Sequence, residues 1–252
     1  MPPSISRPWY ERAFAADYLE RYAHRSDELA RIELPFLLDA LKLPARPLLL
    51  DLCCGAGRHS RALAARLKRG RVVALDLSPD LLHHALRQKR AKLSAPIAYL
   101  RGDKRQIPLA TGAFDGVVNL FTSFGYFTSD REHLRVLREI ARVLTPGGRF
   151  VMDFMNSTHT REHLVARNER IYKGVMVIEQ RRYDARSRRI IKTVSSGDET
   201  LTESIRAYTP AELSRLLHQA GLNVLSRHGN LCGDSFNEKR SLRCVLVCQR
   251  ES

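Results

Sequence analysis

The stretch from Pro47 to Asp76 constrains the fold more than any other part of this chain of 252 residues. An apolar run ends at a glycine turn containing Gly55 and Gly57, a helical run follows, and a second apolar run, Val72–Leu75, ends in a carboxylate. Continuous apolar runs are typical of parallel strands that are buried on both faces. The pattern therefore predicts a strand–turn–helix–strand unit whose acidic residue follows the turn by about 20 positions, as nucleotide-binding units require.

The residues around the turn indicate which kind of ligand binds there. Glycine lets the backbone turn sharply and lets a ligand approach it without meeting a side chain. Asp76, at the carboxyl end of the second strand, is placed to bind a ribose diol. A dinucleotide fingerprint has a third glycine where this chain has Ser60, and the carboxylate of Asp51 would repel a pyrophosphate. These features favour a nucleoside ligand with a cationic end and disfavour a dehydrogenase.

The segment Asp51–Gly57 resembles the first motif of the class I S-adenosylmethionine-dependent methyltransferases, with Cys53 at a position where glycine is commoner. Two later stretches resemble motifs of the same family in the same order. They are the dipeptide Gly102-Asp103 and the run Arg138–Phe150. The resemblance covers about Leu48 to Phe154, and it implies S-adenosylmethionine as the cofactor.

The resemblance also implies the fold. We expect an α/β, Rossmann-like, seven-stranded sheet that is mostly parallel with its last strand antiparallel, and helices on both faces. A final antiparallel pair of strands is a trait of this family and not of dehydrogenases. The expected parts are an N-terminal helical lid (1–44), a cofactor-binding domain (45–156 and 209–252) and an inserted antiparallel β subdomain over the acceptor site (157–208).

The insertion carries most of the information about the methyl acceptor. Runs of β-forming residues separated by turn residues predict three strands, at Ile171–Tyr183, Arg188–Ser196 and Leu201–Tyr208. The arrangement resembles small-molecule N-methyltransferases, such as those acting on amino sugars or glycine, in which the insertion roofs the acceptor site. A capping box, Thr209 to Glu212, then opens a helix.

An aromatic stripe lies near the N-terminus. Phe14, Tyr18, Tyr22 and Arg25 recur at helical spacing and share one face. One interpretation is a helix that packs this stripe on the core. The other is a lid, in which Arg25 pairs with a carboxylate of the ligand and the tyrosines form a wall of the pocket; the family resemblance supports the lid.

The motif positions and the resemblance together give a set of candidate site residues. The predicted cofactor-binding residues are Tyr18, Arg25, Asp51, Cys53, Gly55, Gly57, Asp76, Leu77, Gly102, Asp103, Asn119 and Leu120. The resemblance assigns to Asp103 a hydrogen bond from the adenine amino group. Gly125, between aromatic residues after the fourth strand, indicates a loop at the ligand edge of the sheet.

That loop and two later positions supply the acceptor candidates. The predicted acceptor-contacting residues are Tyr22, Phe124, Tyr126 and Asp153, and the predicted catalytic residues are Tyr126 and His228. Core packing is the alternative for Phe124, since only Tyr126 carries a hydroxyl that needs a partner. The alternative for His228 is an ordinary histidine at the end of a strand.

Composition bears on partners and location. The net charge of +15 raises the chance of an anionic partner such as nucleic acid, but no run of five basic residues occurs, which favours dispersed charges on solvated faces. None of the five cysteines forms a C-x-x-C pair, so we expect no metal site. No run approaches the roughly 20 apolar residues of a membrane span, and the N-terminus lacks a signal-peptide core. We expect a cytoplasmic monomer or homodimer with no membrane partner.

Three functional hypotheses follow. The first is a small-molecule methyltransferase, acting by in-line displacement on an N- or O-nucleophile. The second is an RNA methyltransferase, favoured by ten basic against four acidic residues between Arg161 and Lys192. The third is a non-catalytic protein that binds S-adenosylmethionine. A general base is optional for an amine acceptor and matters more for a hydroxyl.

Overall fold

The computed structural model describes residues 8–14, 26–88, 93–172 and 174–251. The helices in these segments are α1 (Trp9–Ala13), α2 (Asp27–Leu41), α3 (Arg58–Arg66), α4 (Pro79–Arg87), α5 (Asp130–Val143), α6 (Ser157–Glu162) and α7 (Pro210–Gln219). The strands are β1 (Leu48–Leu52), β2 (Arg71–Asp76), β3 (Ile97–Arg101), β4 (Phe114–Asn119), β5 (Leu144–Met155), β6 (Arg167–Tyr172), β7 (Val175–Asp184), β8 (Arg189–Ser196), β9 (Glu199–Arg206), β10 (Leu222–His228) and β11 (Arg243–Arg250).

Seven strands form the main sheet, in the order β10-β11-β5-β4-β1-β2-β3. The strands β1 to β5 pair in parallel, whereas β11 is antiparallel to both of its neighbours. The predicted Rossmann-like sheet, mostly parallel with its last strand antiparallel, is confirmed. Because the parallel strands share one direction, their carboxyl ends meet at one edge of the sheet.

Helices cover both faces of this sheet, as predicted. Along β5, Phe150 and Phe154 pack on one face and Val151 on the other, and none of the three is exposed to solvent. The first face is covered by α5 and α7, and the second by α2 and α3. Burying each large apolar side chain contributes about 1.5–3 kcal/mol. The two apolar layers therefore hold the carboxyl edge of the sheet in place.

Side-chain caps define where several helices begin. The hydroxyls of Ser26 and Ser78 accept hydrogen bonds from the backbone N–H groups three residues later. The predicted capping box is present at the start of α7, where Thr209 and Glu212 bond each other's backbone N–H. Such caps each contribute about 1 kcal/mol.

A second, separate sheet follows β5 in the chain. It is antiparallel, with the order β6-β7-β8-β9. The prediction of three strands is wrong, because the range Ile171–Tyr183 contains the end of β6, a turn at Gly174 and most of β7. A single glycine, Gly174, within a run of mostly β-forming residues is a weak turn signal. The expected small antiparallel β insertion is confirmed, whereas the exact domain boundaries stay predictions.

In the part of the chain that the structure describes, no helix is both long enough and apolar enough to cross a membrane.

Candidate functional site

A cavity of about 1040 Å³ lies at the carboxyl edge of the main sheet. Its floor is formed by the ends of β1, β2 and β3 and by the loop after β4, and residues of β7, β8 and β9 form its opposite wall. The predicted site residues that line it are Asp51, Cys53, Gly55, Asp76, Leu77, Gly102, Asp103, Leu120 and Tyr126. One cavity thus joins the predicted cofactor crevice to the inserted sheet.

The glycine turn and the end of β2 are connected through Asp76. Its carboxylate accepts hydrogen bonds from the backbone N–H groups of Gly55, at 2.8 Å, and Ser78, at 2.9 Å. Burial raises the pKa of Asp76, and these two bonds oppose the shift. Gly57 does not line the cavity; its φ is +75°, and a Cβ there would lie 2.7 Å from the Tyr99 hydroxyl oxygen. Gly57 is therefore required by the packing of the turn.

Asp51 is buried at the floor of the cavity, with only 3% of its surface exposed. Its carboxylate accepts a hydrogen bond of 2.5 Å from the hydroxyl of Ser60. Burial raises the pKa of Asp51. Ser60, which replaces the third glycine of a dinucleotide fingerprint, thus satisfies a buried carboxylate that such a fingerprint lacks.

Cys53 adopts a left-handed backbone conformation, with φ +60°. Glycine is commoner at this position of the methyltransferase motif that Asp51–Gly57 resembles, because an L side chain is strained there. Burial raises the pKa of the Cys53 thiol to about 11. The thiol is therefore protonated at neutral pH and is a poor nucleophile.

Asp103 lies at the cavity, and its carboxylate is held by Arg105. The closest guanidinium nitrogen is 2.7 Å away, and the backbone N–H of Arg105 donates a further bond of 2.8 Å. Burial raises the pKa of Asp103, but the Arg105 bonds outweigh it and lower the pKa below its usual value. Arg105 also pairs with Glu132 at 3.0 Å and lies over the Phe127 ring.

Tyr126 lines the cavity and contacts α1. Its ring meets Trp9 edge-on with centroids 4.9 Å apart and stacks on Phe14 at 5.8 Å. The ammonium of Lys104 is 4.2 Å from the Tyr126 ring centroid. An aromatic cluster therefore encloses Tyr126 and joins α1 to the loop after β4.

The backbone of this loop is fixed by the inserted sheet. The guanidinium of Arg189 donates hydrogen bonds to three successive carbonyls, those of Gly125 (3.1 Å), Tyr126 (3.3 Å) and Phe127 (3.0 Å). The Arg206 backbone N–H donates to the Gly125 carbonyl at 2.8 Å. Gly125 has φ +83°, and a Cβ there would lie 3.0 Å from the Arg206 carbonyl oxygen. We call residues 125–127 the acceptor loop.

A buried polar chain supports the acceptor loop from behind. The ring Nε2 of His133 accepts the Phe127 backbone N–H at 3.1 Å, which places the ring proton on Nδ1. That group donates to the Tyr208 oxygen at 2.7 Å, and the Tyr208 hydroxyl donates to Asp130 at 2.5 Å. Burial lowers the pKa of His133 to about 4, so the ring is neutral.

Two acceptor candidates are not brought to the cavity. Phe124 is 1% exposed and packs in the core against Phe154 and Tyr208, which is the alternative weighed for it. His228 lies on the edge strand β10, where its ring packs against Phe36 and bonds the carbonyl of Gly233. His228 is thus the histidine near the end of a strand that was the alternative for it, because β10 is the edge strand and lies three positions from β4, which the acceptor loop follows.

Two further candidates support the cavity from outside it. The Asn119 amide donates to the Leu52 carbonyl at 3.0 Å. The buried carboxylate of Asp153 accepts bonds from the Phe121 backbone N–H (2.9 Å) and from Arg243 (2.7 Å), and it is Arg243 that lines the cavity. Tyr18, Tyr22 and Arg25 lie outside the described residues, so their assignments stay predictions.

Several cavity-lining residues were not predicted. They are Lys104, Arg181, Ile190, Lys192, Glu203, Ile205 and Arg243. The alternation in β8 indicates that Ile190 and Lys192 share a face. No sequence signal says which face of the insertion covers the site. Across the described segments, no group of three or more His, Cys, Asp or Glu side chains is arranged to hold a metal ion.

The cofactor crevice fits the chemistry of S-adenosylmethionine, which combines a ribose, an adenine and a cationic sulfonium. Asp51, Asp76 and Asp103 place three carboxylates along it, and the turn at Gly55 exposes backbone where a side chain would intrude. Carboxylates attract a cation and accept hydrogen bonds from hydroxyl and amino groups.

Comparison with known proteins agrees with this geometry. Residues 49–148 match the family described as "Methyltransferase domain". The 2-phytyl-1,4-naphtoquinone methyltransferase of Thermosynechococcus vestitus is 32% identical over 78% of this chain and 81% of its own length. The chain belongs to the methyltransferase-domain family.

Solved structures extend the likeness to the whole fold. An S-adenosylmethionine-dependent methyltransferase from Clostridium acetobutylicum superposes with a TM-score of 0.77, at 18% identity, over 97% of this chain and 99% of that one. CalS10 from Micromonospora echinaspora, an amino pentose methyltransferase solved with S-adenosylmethionine bound, gives a TM-score of 0.64 at 22% identity over 92% and 96% of the two chains. The protein is an S-adenosylmethionine-dependent methyltransferase.

Proposed function

We propose that this enzyme methylates an N- or O-nucleophile of a small molecule that binds between Tyr126 and the inserted sheet. The observation that carries the proposal is the single cavity of about 1040 Å³, which extends from the glycine turn to the inserted sheet. Pockets for small ligands typically measure about 300–1,000 Å³. The volume is thus suited to a cofactor with a modest acceptor. The relatives named above act on a naphthoquinone and an amino pentose, which are both small molecules.

The cofactor half of the cavity is assigned by the chemistry of its side chains. Asp76 binds the ribose, Asp103 accepts from the adenine amino group and Asp51 faces the cationic end of the ligand. Gly55, Leu77, Gly102 and Leu120 provide close-packed walls, with Cys53 beside the turn. These roles are supported by the position of each residue at the cavity.

When bound, S-adenosylmethionine supplies an electrophilic methyl group for in-line displacement. The main task of the chain's own residues is to hold the acceptor in attack geometry, which can supply about 7–11 kcal/mol of the barrier. Tyr126, which lines the cavity, orients the nucleophile through its hydroxyl in this proposal. The neutral thiol of Cys53, with its pKa raised to about 11, does not compete for the methyl group at neutral pH.

The proposal is tested first at the cofactor. We expect S-adenosylmethionine and S-adenosylhomocysteine to bind in calorimetry and NADH not to bind. Asp76→Ala removes a carboxylate from the crevice and should weaken S-adenosylhomocysteine about 10–100-fold. Asp198→Ala, on an exposed carboxylate between β8 and β9 that does not line the cavity, is the matched carboxylate control. Tight NADH binding without S-adenosylmethionine binding would contradict the assignment.

The acceptor is tested by supplying labelled S-adenosylmethionine with fractionated small metabolites and with RNA. Methyl incorporation into the small-molecule fraction is the expected result. Incorporation into RNA would establish the second hypothesis, which the net charge of +15 favours. Cofactor binding without transfer to either pool would establish the non-catalytic alternative. Cytoplasmic location and a monomeric or homodimeric state stay predictions.

A further inference from the structure

The wall of the cavity formed by the inserted sheet has two rows of side chains, one charged and one apolar. Arg181 on β7 is in register with Lys192 on β8, which is in register with Glu203 on β9. Two residues away, Ile190 is in register with Ile205. All five side chains line the cavity. Because residues on one face of a strand repeat every two positions, the rows are roughly 7 Å apart. We call this face the roof.

The apolar row is the one next to the acceptor loop. The Cγ2 atom of Ile205 is 3.2 Å from the point that a Cβ on Gly125 would occupy. The residue after it, Arg206, bonds the Gly125 carbonyl through its backbone. The charged row therefore lies about one pleat farther from Tyr126 than the apolar row does.

Cations exceed carboxylates around the charged row. Glu179, which is 8% exposed, accepts contacts from Arg181, from Lys192 at 3.5 Å and from Arg170 at 3.8 Å. Glu203 is 3.9 Å from Lys192. Among the described residues, this cluster thus contains three cations and two carboxylates, and Arg181 and Lys192 are the cations that line the cavity. The Arg181 and Lys192 side chains are only 25% and 15% exposed, so their attraction for an anion is screened less than at an open surface.

The Tyr126 end of the cavity is also positive. Lys104 is 8% exposed, and its ammonium donates to the Ser123 carbonyl at 2.7 Å. Among the described residues it has no carboxylate within ion-pair distance. Beside Tyr126 and at the charged row, the cations Lys104, Arg181 and Lys192 therefore favour a negatively charged occupant.

We infer that the methyl acceptor carries an anionic group, a carboxylate or a phosphate, which Arg181 and Lys192 bind. Its apolar body lies against Ile190 and Ile205, and its nucleophile lies at Tyr126, on the other side of the apolar row from the anionic group. The inference rests on the proposed transfer to a small molecule in this cavity. A long apolar side chain, as on a prenylated quinone, has no matching surface in the charged row.

The test uses matched probes that differ only in the charged group. The protein is saturated with S-adenosylhomocysteine, and the Kd of 4-aminobenzoate is compared with that of 4-aminobenzamide by calorimetry. A second pair, 4-aminophenyl phosphate and 4-aminophenol, distinguishes phosphate from carboxylate recognition. We expect the anionic member of at least one pair to bind about tenfold tighter or better.

Variants then test which side chains cause the preference for the anionic probe. Arg181→Met and Lys192→Met should each abolish most of the difference within a pair, while S-adenosylhomocysteine affinity stays within about twofold. Arg182→Met is the control. Arg182 follows Arg181 on β7, so its side chain points to the opposite face of the sheet, and it is 66% exposed. The wild-type comparison within a pair does not depend on any variant folding.

The outcomes separate the inference from the proposed function. Equal affinity within both pairs, no binding of either anion, or tighter binding of a neutral prenylated quinone would each overturn the inference. A preference for the anion that survives both Met variants would overturn the assignment to Arg181 and Lys192. Failure of S-adenosylhomocysteine to bind would overturn the proposed function itself.

Discussion

Cys53 illustrates how one residue can depart from a motif and keep its geometry. The backbone has φ +60°, which is left-handed, although the side chain is not glycine. Such a conformation costs an L residue about 1–2 kcal/mol. The methyltransferase motif that this segment resembles has glycine more often at this position, and the backbone angle gives the physical reason.

Substitutions at Cys53 should follow this strain. We expect the free energy of unfolding of Cys53→Gly to stay within about 1 kcal/mol of the wild-type value, because relief of backbone strain offsets the added freedom of the unfolded chain. Cys53→Val should lower the free energy of unfolding by about 2 kcal/mol or more, since branched residues tolerate positive φ poorly. Urea unfolding measures both. Cys54→Val is the matched control, and equal losses at the two positions would contradict the explanation.

His133 gives a prediction about pH. Its pKa is lowered by burial to about 4 in the folded protein, against about 6.5 in the unfolded chain. Between these values the unfolded state binds the proton and the folded state does not, so stability falls as pH decreases from 6.5 to 4. The loss is about 3 kcal/mol at pH 4.

The pH effect is measured as the free energy of unfolding at pH 7, 5.5 and 4.5. His133→Gln keeps an acceptor for the Phe127 N–H and removes the titrating group. This variant should start less stable, yet lose less stability on acidification than the wild type does. An identical pH slope in both proteins would show that other groups dominate, such as Asp103 and Glu132, whose pKa values are lowered in the folded protein.

At the scale of elements, the acceptor loop depends on the inserted sheet for its conformation. Arg189, at the start of β8, donates to the three carbonyls of residues 125–127 and also to the carbonyl and hydroxyl of Ser204. Its guanidinium is partly buried, and burial lowers its pKa. A fork of five N–H groups can satisfy this set, whereas an ammonium has three donors at one point.

Arg189→Lys should therefore loosen the loop while keeping the charge. We expect faster amide hydrogen exchange at 125–127 and turnover reduced about tenfold or more, with S-adenosylhomocysteine affinity changed less than twofold. Arg188→Lys, at an exposed neighbour paired with Glu212, is the control. Unchanged exchange in the loop of Arg189→Lys would show that the carbonyl bonds do not hold it.

The elements also show how far the sequence could be interpreted. The motifs around Gly55, Asp76 and Asp103 predicted the main sheet and the cofactor half of the cavity, because glycine turns and strand-end carboxylates leave local signals. The roof residues leave none, because their position depends on how the inserted sheet packs over the main one. Phe124 and Tyr126 are two residues apart in one loop, and only the packing places one in the core and the other at the cavity.

At the scale of the whole molecule, part of the positive charge is already paired. In the insertion, Arg167 pairs with Glu169 at 2.7 Å, Arg182 with Asp184 at 3.7 Å and Arg188 with Glu212 at 2.9 Å. Exposed pairs of this kind contribute little to stability, about 0–1 kcal/mol. They do reduce the charge that the surface offers to a polyanion.

RNA binding should consequently be weak. We expect a single-stranded RNA to bind with a Kd no tighter than about 10⁻⁵ M near physiological salt, in the range of non-specific association. Fluorescence anisotropy at several salt concentrations measures this. A Kd in the nanomolar range with a steep salt dependence would favour RNA as the acceptor. Arg182→Glu reverses one surface charge and controls for a contribution from the insertion.

The contacts of Arg189 and Arg206 with the acceptor loop involve backbone groups of that loop. Backbone carbonyls are the same whatever side chains surround them. The hydrogen bonds between the inserted sheet and the acceptor loop therefore do not depend on which residues occupy positions 181, 192 and 203. Evolution can therefore exchange the side chains of the roof one at a time while the loop that presents Tyr126 keeps its shape. Substrate range and catalytic geometry are inherited separately in such an architecture.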